Sequence, residues 1–498
     1  MVQDPSTTTI ASPSATSNLV LTMSAADTNL APLLQQTLDA ALSYLTADDS
    51  VAATATLEEL RSRLCLPLNT DPIDPEAVLS DLLRGVDGGI TRSTGGRFFG
   101  WVIGGTLPAA LSADWLTSTW DQNAGVYACS PAAAVIEEAC GRWLKDLLHL
   151  PADASFALTT GCQAAHITAL AAARHAVLAR QGWNVARQGL AGAPAIRILT
   201  STERHGTLLR AVRLLGMGED QIITLPTDAE GRLSLSTLEA SLQSAPEAPT
   251  IVVLQAGDLN IGAFDDFAAL IPLAHAYHAW VHIDGAFGLW AAASPRLQHL
   301  IHGAELADSW TTDGHKWLNV PYDCGYAFVA NRSAHHASFA LNSSYVEHSS
   351  NVREQIDWNI EWSRRGRGFS TWAALRSLGR TGVADLIERT CHFAKDLATR
   401  IGALPNAELL YPTIALNQAI VRYLDPKPDA TEADHDAFTE RIVAAIVASG
   451  EAYFTNTTWR GKRAMRISVS CHQTTPEDVD RTVAAVAKVL QQHTGRSK

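Results

Sequence analysis

The stretch His282-Ile283-Asp284-Gly285-Ala286-Phe287, followed by Asp313-Gly314-His315-Lys316-Trp317-Leu318-Asn319, decides how the rest of this 498-residue chain is read. The apolar run from Ala279 to Ile283 has the composition of a buried strand, and it delivers one carboxylate, Asp284, at its C-terminal end. Open α/β sheets place ligands at that edge. The second segment offers a lysine, Lys316, between a histidine and the apolar pair Trp317-Leu318, so its amine is expected to be desolvated. Desolvation disfavours the ammonium form and frees the lone pair for attack on a carbonyl.

A strand-end aspartate and a lysine 32 positions later (316 − 284) are what pyridoxal phosphate (PLP) chemistry needs. The lysine joins the cofactor's aldehyde, and the aspartate keeps the pyridine nitrogen protonated so that the ring accepts electrons. With their surroundings, clearest from Arg97 to about Arg400, these motifs resemble the group II PLP-dependent amino-acid decarboxylases, the family of aromatic-amino-acid and glutamate decarboxylases. The resemblance implies a type I PLP-transferase fold of class α/β: a large, mostly parallel seven-stranded sheet domain, a small C-terminal α+β domain and an N-terminal helical segment. It also implies that His315 helps hold the cofactor and that Ala286 lies against it.

Hydrophobic residues make up 47% of the chain and charged residues 18%, a globular composition, and the length calls for more than one domain. A net charge of −13 and the lack of a Lys/Arg-rich run exclude a nucleic-acid or anionic-membrane footprint, leaving a small amino-acid substrate as the expected partner. Seven scattered cysteines without a CxxC pair fit reduced thiols. The first basic residue is Arg61, and no apolar run approaches the roughly 20 residues of a membrane span, so a soluble cytoplasmic protein is expected. No HExxH, P-loop or nucleophile elbow occurs, and His299 and His302 lack a third ligand; no metal is expected.

Residues 1–27 have the Ser/Thr/Ala-rich composition of a mobile tail. Residues 28–104 form a helical segment in which Leu33, Leu34, Leu38, Leu42 and Leu45 recur at helical spacing. By the resemblance this segment packs on a second subunit, giving a homodimer; packing on its own domain is the alternative. Residues 105–378 form the cofactor domain and 379–498 the small domain, with strands alternating with helices in the former.

Several residues become candidates along the way. Trp101 and Val102, beside the aromatic cluster at Phe98-Phe99, match a family segment that lines the substrate pocket. Gly161-Cys162-Gln163 opens an alanine-rich helix whose first N–H groups form an anion site, and by the resemblance they meet the cofactor phosphate; a small buried filler is the other reading of Cys162. His205 matches the family histidine that stacks on the cofactor ring. Gln255 to Asp258 form either a pocket wall or a polar turn. Asp308, Ser309 and Asp313 match the phosphate-side network, although Asp313, being anionic, could instead orient His315 or cap a turn. Arg466 lies on the last strand of the small domain, where more distant relatives of the fold, the aminotransferases, place a carboxylate-binding arginine; the other reading is an ordinary surface or interface arginine. Residues 342–362 look like a lid, in which the family carries a proton-donating tyrosine. None occurs from Val346 through Arg367, so Tyr345, His348 or a water is left as donor. The expected activity is decarboxylation at Cα of an L-amino acid by a carboxy-lyase of the EC 4.1.1 type. The alternatives are an aldehyde synthase or another PLP lyase, and a non-catalytic relative.

Overall fold

A computed structural model describes residues 30–48, 50–341 and 352–495. The tail at 1–27, Tyr345 and His348 lie outside the described residues. The chain divides into two compact units, residues 1–49 with 53–90, and residues 50–52 with 91–498.

The first unit contains helices Leu30–Thr46, Leu57–Leu64 and Pro75–Val86. The second of these starts at a capping box: Thr56 Oγ1 accepts from Glu59 N at 3.2 Å, and the Glu59 carboxylate accepts from Thr56 N at 2.7 Å. Asp74 caps the third, with Pro75 in its first turn where no N–H is needed. Helix Leu30–Thr46 buries none of its residues, and Leu34, Leu42, Leu68 and Leu82 are exposed.

The second unit is built on a seven-stranded sheet. In chain order its strands are β1 (Ser155–Thr159), β2 (Arg197–Ser201), β3 (Ile222–Leu225), β4 (Thr250–Gln255), β5 (Trp280–Asp284), β6 (Ser309–Asp313) and β7 (Gly325–Val329), and the spatial order is β1-β7-β6-β5-β4-β2-β3. Only β7 runs antiparallel to its neighbours, so the expected mostly parallel α/β sheet is present. Two strands escape a reading by apolar runs. β6 (Ser-Trp-Thr-Thr-Asp) is fully buried yet mostly polar, and β1 (Ser-Phe-Ala-Leu-Thr) has an apolar run of only three residues.

Alternation along β5 determines the site. Val281 and Ile283 join the core that contains Phe267 and Leu270, and burying each contributes roughly 1.5–3 kcal/mol. Trp280 packs into the core on the opposite face, with Leu170 of helix Cys162–Ala179. Because side chains alternate, His282 and Asp284 share that face with Trp280 and look toward the same helix.

The small C-terminal sheet has strands β8 (Ala407–Leu409), β9 (Gln418–Tyr423), β10 (Thr455–Trp459) and β11 (Lys462–Ser468) in the order β10-β11-β9-β8. Helix Gly368–Gly402 leads to it and breaks at Gly379, whose φ of 59° lies in the left-handed region open to glycine. Residues 97–99, expected in the N-terminal segment, pack within the second unit: Phe98 stacks on Tyr453 and Phe99 on Phe454. Arg364, Arg365 and Arg367 serve as structural ties, pairing with Glu137, Asp114 and Asp323 at 2.5, 2.9 and 2.7 Å.

Candidate functional site

The C-terminal ends of β4, β5 and β6 open onto a cavity of about 410 Å³. Of the residues singled out from the sequence, Trp101, Val102, Gly161, Cys162, Gln163, His205, Asp284, Ala286, Asp313, His315 and Lys316 line it. The sheet register explains the convergence, since Gln255 pairs with Asp284 across β4–β5 and Thr159 and Asp313 both pair with Gly325.

Asp284 is buried. Its Oδ1 accepts the Ala286 N–H at 3.2 Å, and its Oδ2 lies 3.4 Å from His166 Nε2. Burial pushes the carboxyl's pKa up, but the neighbouring His166, then His205 and Lys316, outweigh it and leave it well below the usual range. Asp284 is therefore an anion at neutral pH.

Lys316 differs from expectation. Burial pulls its amine down, but Asp313 Oδ2 stands 3.0 Å from Nζ and the net shift is upward. The free lysine is therefore an ammonium held by a carboxylate, and the lone pair foreseen from desolvation is not available until that proton leaves.

Asp313 does more than either reading foresaw. Its Oδ1 accepts the Cys162 N–H at 2.6 Å at the start of helix Cys162–Ala179 and lies 3.6 Å from His315 Nε2. The first N–H of the proposed phosphate site is thus already taken. The helix leaves those of Gln163 and Ala164 without an intrahelical acceptor. The Gln163 side chain points elsewhere, donating to Thr207 O at 3.2 Å. Gly161, at φ 118°, makes the turn that no side chain could make without strain.

His315 Nδ1 accepts the Cys324 N–H at 3.2 Å, so the ring's proton sits on Nε2, toward Asp313. Burial lowers its pKa, and the ring stacks on Tyr322 at 4.2 Å between centroids. His205 caps the next helix through Thr207 N and is likewise lowered, first by burial. Cys162 is a thiol, burial having raised its pKa well above normal. One donor atom each of Cys162, His166 and Asp284 lies within 4.8 Å of the other two, a spacing open to a metal ion, but the protonated thiol suits the small-filler reading better.

Ser309 requires correction. It sits at the start of β6, away from the cavity, and its Oγ is bonded to Trp280 Nε1 and His282 Nδ1, each at 2.9 Å. Asp308 is likewise remote, accepting from Val281 N and 3.0 Å from His275 Nε2. Gln255 and Gly257 are cavity wall, while Asp258 organises a turn by accepting three backbone N–H groups, of Asn260, Ile261 and Ala263. Arg466 is no surface residue. It is buried, lines the cavity and donates to Gln418 Oε1, with no carboxylate at ion-pair distance among the described residues. Burial brings its pKa down to about 10. Sequence reasoning missed His166, Phe287 as lining and Tyr322. A histidine one turn into an alanine-rich helix was the only available signal for the first.

These residues fit PLP. A buried anion with one side open to the cavity suits a protonated ring nitrogen, a lysine amine stands in the same cavity, and a helix N-terminus is open to a phosphate.

Comparison with known proteins agrees. The family described as Pyridoxal-dependent decarboxylase conserved domain matches residues 59–419. An aromatic-L-amino-acid decarboxylase of Bacillus atrophaeus is 27% identical over 436 residues, covering 86% of this chain and 88% of that protein. A phenylacetaldehyde synthase of a Rosa hybrid cultivar is 27% identical over 457 residues, covering 86% of each. In fold, the crystal structure of Oryza sativa TDC with PLP and tryptamine superposes with a TM-score of 0.87 at 23% identity, covering 95% of this chain and 99% of that one.

Proposed function

Since the chain belongs to the pyridoxal-dependent decarboxylase family and is a PLP-dependent amino-acid carboxy-lyase, we propose that Lys316 carries the cofactor and that Asp284 faces its ring nitrogen. The observation that carries this reading is the pairing of a buried, anionic Asp284 with Lys316 in one cavity.

When bound, PLP supplies an electrophilic carbon and a ring that accepts the electron pair released at the substrate's Cα. Asp313 holds the Lys316 ammonium and takes up its charge until the amine is engaged. The Gln163 and Ala164 N–H groups serve the phosphate, and His205 and His315 flank the ring and exclude water from it. Trp101 has φ 48°, a conformation that costs a non-glycine residue about 1–3 kcal/mol, and with Val102 it forms the wall against the substrate side chain. Arg466 meets a substrate carboxylate.

The protein works as a cytoplasmic homodimer in this reading. Support comes from the leucines left exposed on residues 30–90 and from seven free cysteines, and no described helix is long and apolar enough to cross a membrane. Light scattering that finds a fully active monomer at micromolar concentration would refute the dimer. The domain assignment that accompanies it is 28–104 for dimer packing, apart from residues 97–102, which belong with the cofactor cavity and the second unit, 105–378 for the cofactor and 379–498 for the small domain.

Borohydride reduction and peptide mapping test the cofactor's attachment, and a pyridoxyl group on any other lysine would overturn it. The similarity to a phenylacetaldehyde synthase favours one second reading, in which O2 and water are consumed and the amino acid is released as aldehyde, CO2, ammonia and peroxide. An amino-acid panel assayed together for CO2, ammonia and peroxide separates the two. Tyr345→Phe then asks whether Tyr345 is the proton donor: clean amine in the parent and aldehyde in the variant assigns it that role.

A further inference from the structure

Behind Asp284 runs a chain of buried polar groups that the chemistry above leaves unused. His166 Nδ1 is 2.9 Å from His282 Nε2, and His282 Nδ1 is 2.9 Å from Ser309 Oγ. All three side chains are fully buried. They come from helix Cys162–Ala179, β5 and β6, and Ser309 is the cross-strand partner of His282.

Proton counting limits what this chain can do. Trp280 Nε1 only donates, so it occupies one lone pair of Ser309 Oγ. Burial, with the neighbouring His166, lowers His282 to about 3, so it is neutral and carries one N–H. If that proton is on Nε2, it goes to His166 Nδ1, and His166 must carry its own proton on Nε2. If it is on Nδ1, it goes to Ser309, and His166 Nδ1 must donate to His282. A neutral His166 would then turn a bare lone pair toward the Asp284 carboxylate, so electrostatics favours the first arrangement. That arrangement puts the Nε2 N–H of His166 on the side of Asp284 Oδ2, 3.4 Å away, at ion-pair distance although not aligned as a hydrogen bond.

Resting on the proposed pairing of Asp284 with the ring nitrogen, we infer that His166, His282 and Ser309 are positioning residues that keep Asp284 ionised and aimed into the cavity, and so set how strongly the site prefers a cofactor ring bearing a protonated nitrogen. None of the three lines the cavity. They act only through Asp284, as an outer-shell partner orients a metal ligand.

The test compares PLP with its deaza analogue, in which C–H replaces the ring nitrogen, on the full chain stripped of cofactor and reloaded, with affinity read by fluorescence. The parent should bind PLP more tightly. In His166→Leu that preference should fall about tenfold, the low end of what a polar contact to a charged group is worth, with the analogue's affinity unchanged. His166→Gln, which retains an N–H, should restore part of it. Ser309→Ala, a milder change that keeps the core filled, should lower the preference by a smaller factor.

A purely structural role would weaken both ligands equally and leave the ratio alone, which overturns the inference. An unchanged ratio in Ser309→Ala overturns it too, because the chain would then end at His166. A parent that does not discriminate between the two ligands refutes the pairing of Asp284 with the ring, a failure distinct from that of the relay alone.

Discussion

Two aspartates end neighbouring strands of one sheet, Asp284 on β5 and Asp313 on β6, and they do different work. Asp284 receives one backbone N–H and the edge of His166, and leaves its remaining side to the cavity. Asp313 is fully committed to the protein, to the Cys162 N–H on one oxygen and the Lys316 amine on the other. Equivalent places in the fold thus yield one carboxylate that serves a ligand and one that assembles the site. Helix Cys162–Ala179 makes the difference, because its first N–H meets Asp313 and its fifth residue, His166, meets Asp284.

The largest expected effect belongs to neither aspartate but to the lysine near both. Lys316→Ala should abolish turnover and covalent cofactor retention, with the fold, measured by circular dichroism, intact. Residual turnover without borohydride-trappable cofactor would mean that the comparison is built on the wrong amine.

Next comes Asp284→Asn, which keeps the shape and removes the charge. A charge-assisted hydrogen bond is worth about 1.5–3 kcal/mol, so activity should fall roughly 10- to 150-fold while cofactor still binds. Near-normal turnover would erase the distinction between the two carboxylates.

Asp313→Asn should cost less, because the amide oxygen can still accept from Cys162. What it removes is the counter-charge that raises Lys316 above its ordinary pKa of 10.5. Burial is then opposed only by the smaller pull of neighbours such as Asp284, so the pKa falls and the free amine appears at lower pH. The rate at which the stripped chain captures PLP rises with the free-amine fraction. Its midpoint should move to lower pH in the variant, and an unmoved midpoint would contradict the role given to Asp313.

What the sequence disclosed of this contrast was uneven. Asp284 and Lys316 are legible because a strand-end carboxylate and a desolvated lysine have local signatures, and the Gly161 turn announces its helix. Asp313 was visible as a residue but not as a strand end, since Ser309, Thr311 and Thr312 look like turn residues while being fully buried. His166 was illegible for another reason: its meaning depends on His282, 116 residues away, and no local pattern predicts that contact. Arg466 was undecidable for the same reason, since strand β11 reaches the cavity only through packing of the small sheet. Tyr345 falls outside the described residues, and the assignment of the proton donor rests on its variant.

The smallest expected effect is on stability, and it distinguishes the backing of Asp284 from that of Asp313. His282 is held near 3 by burial and by His166, against an ordinary 6.5. Between those values the unfolded chain binds a proton that the folded chain refuses, so stability is lost as pH falls through this window and is unaffected above it. Below about 3 the folded protein binds the proton too, and no further loss accrues from this group. His335 is depressed to about 3 as well and contributes in the same window, but it packs against Ser155 and Trp358, away from this chain of groups. In His282→Gln the amide can still meet His166 and Ser309, whereas the titration is gone and that of His335 remains. The drop in melting temperature between pH 7 and pH 4.5 should therefore be smaller in the variant than in the parent, by a few degrees. Equal drops would show that His282 is protonated in the folded state. Its Nε2 would then still donate to His166, and the His166 proton would stay on Nε2.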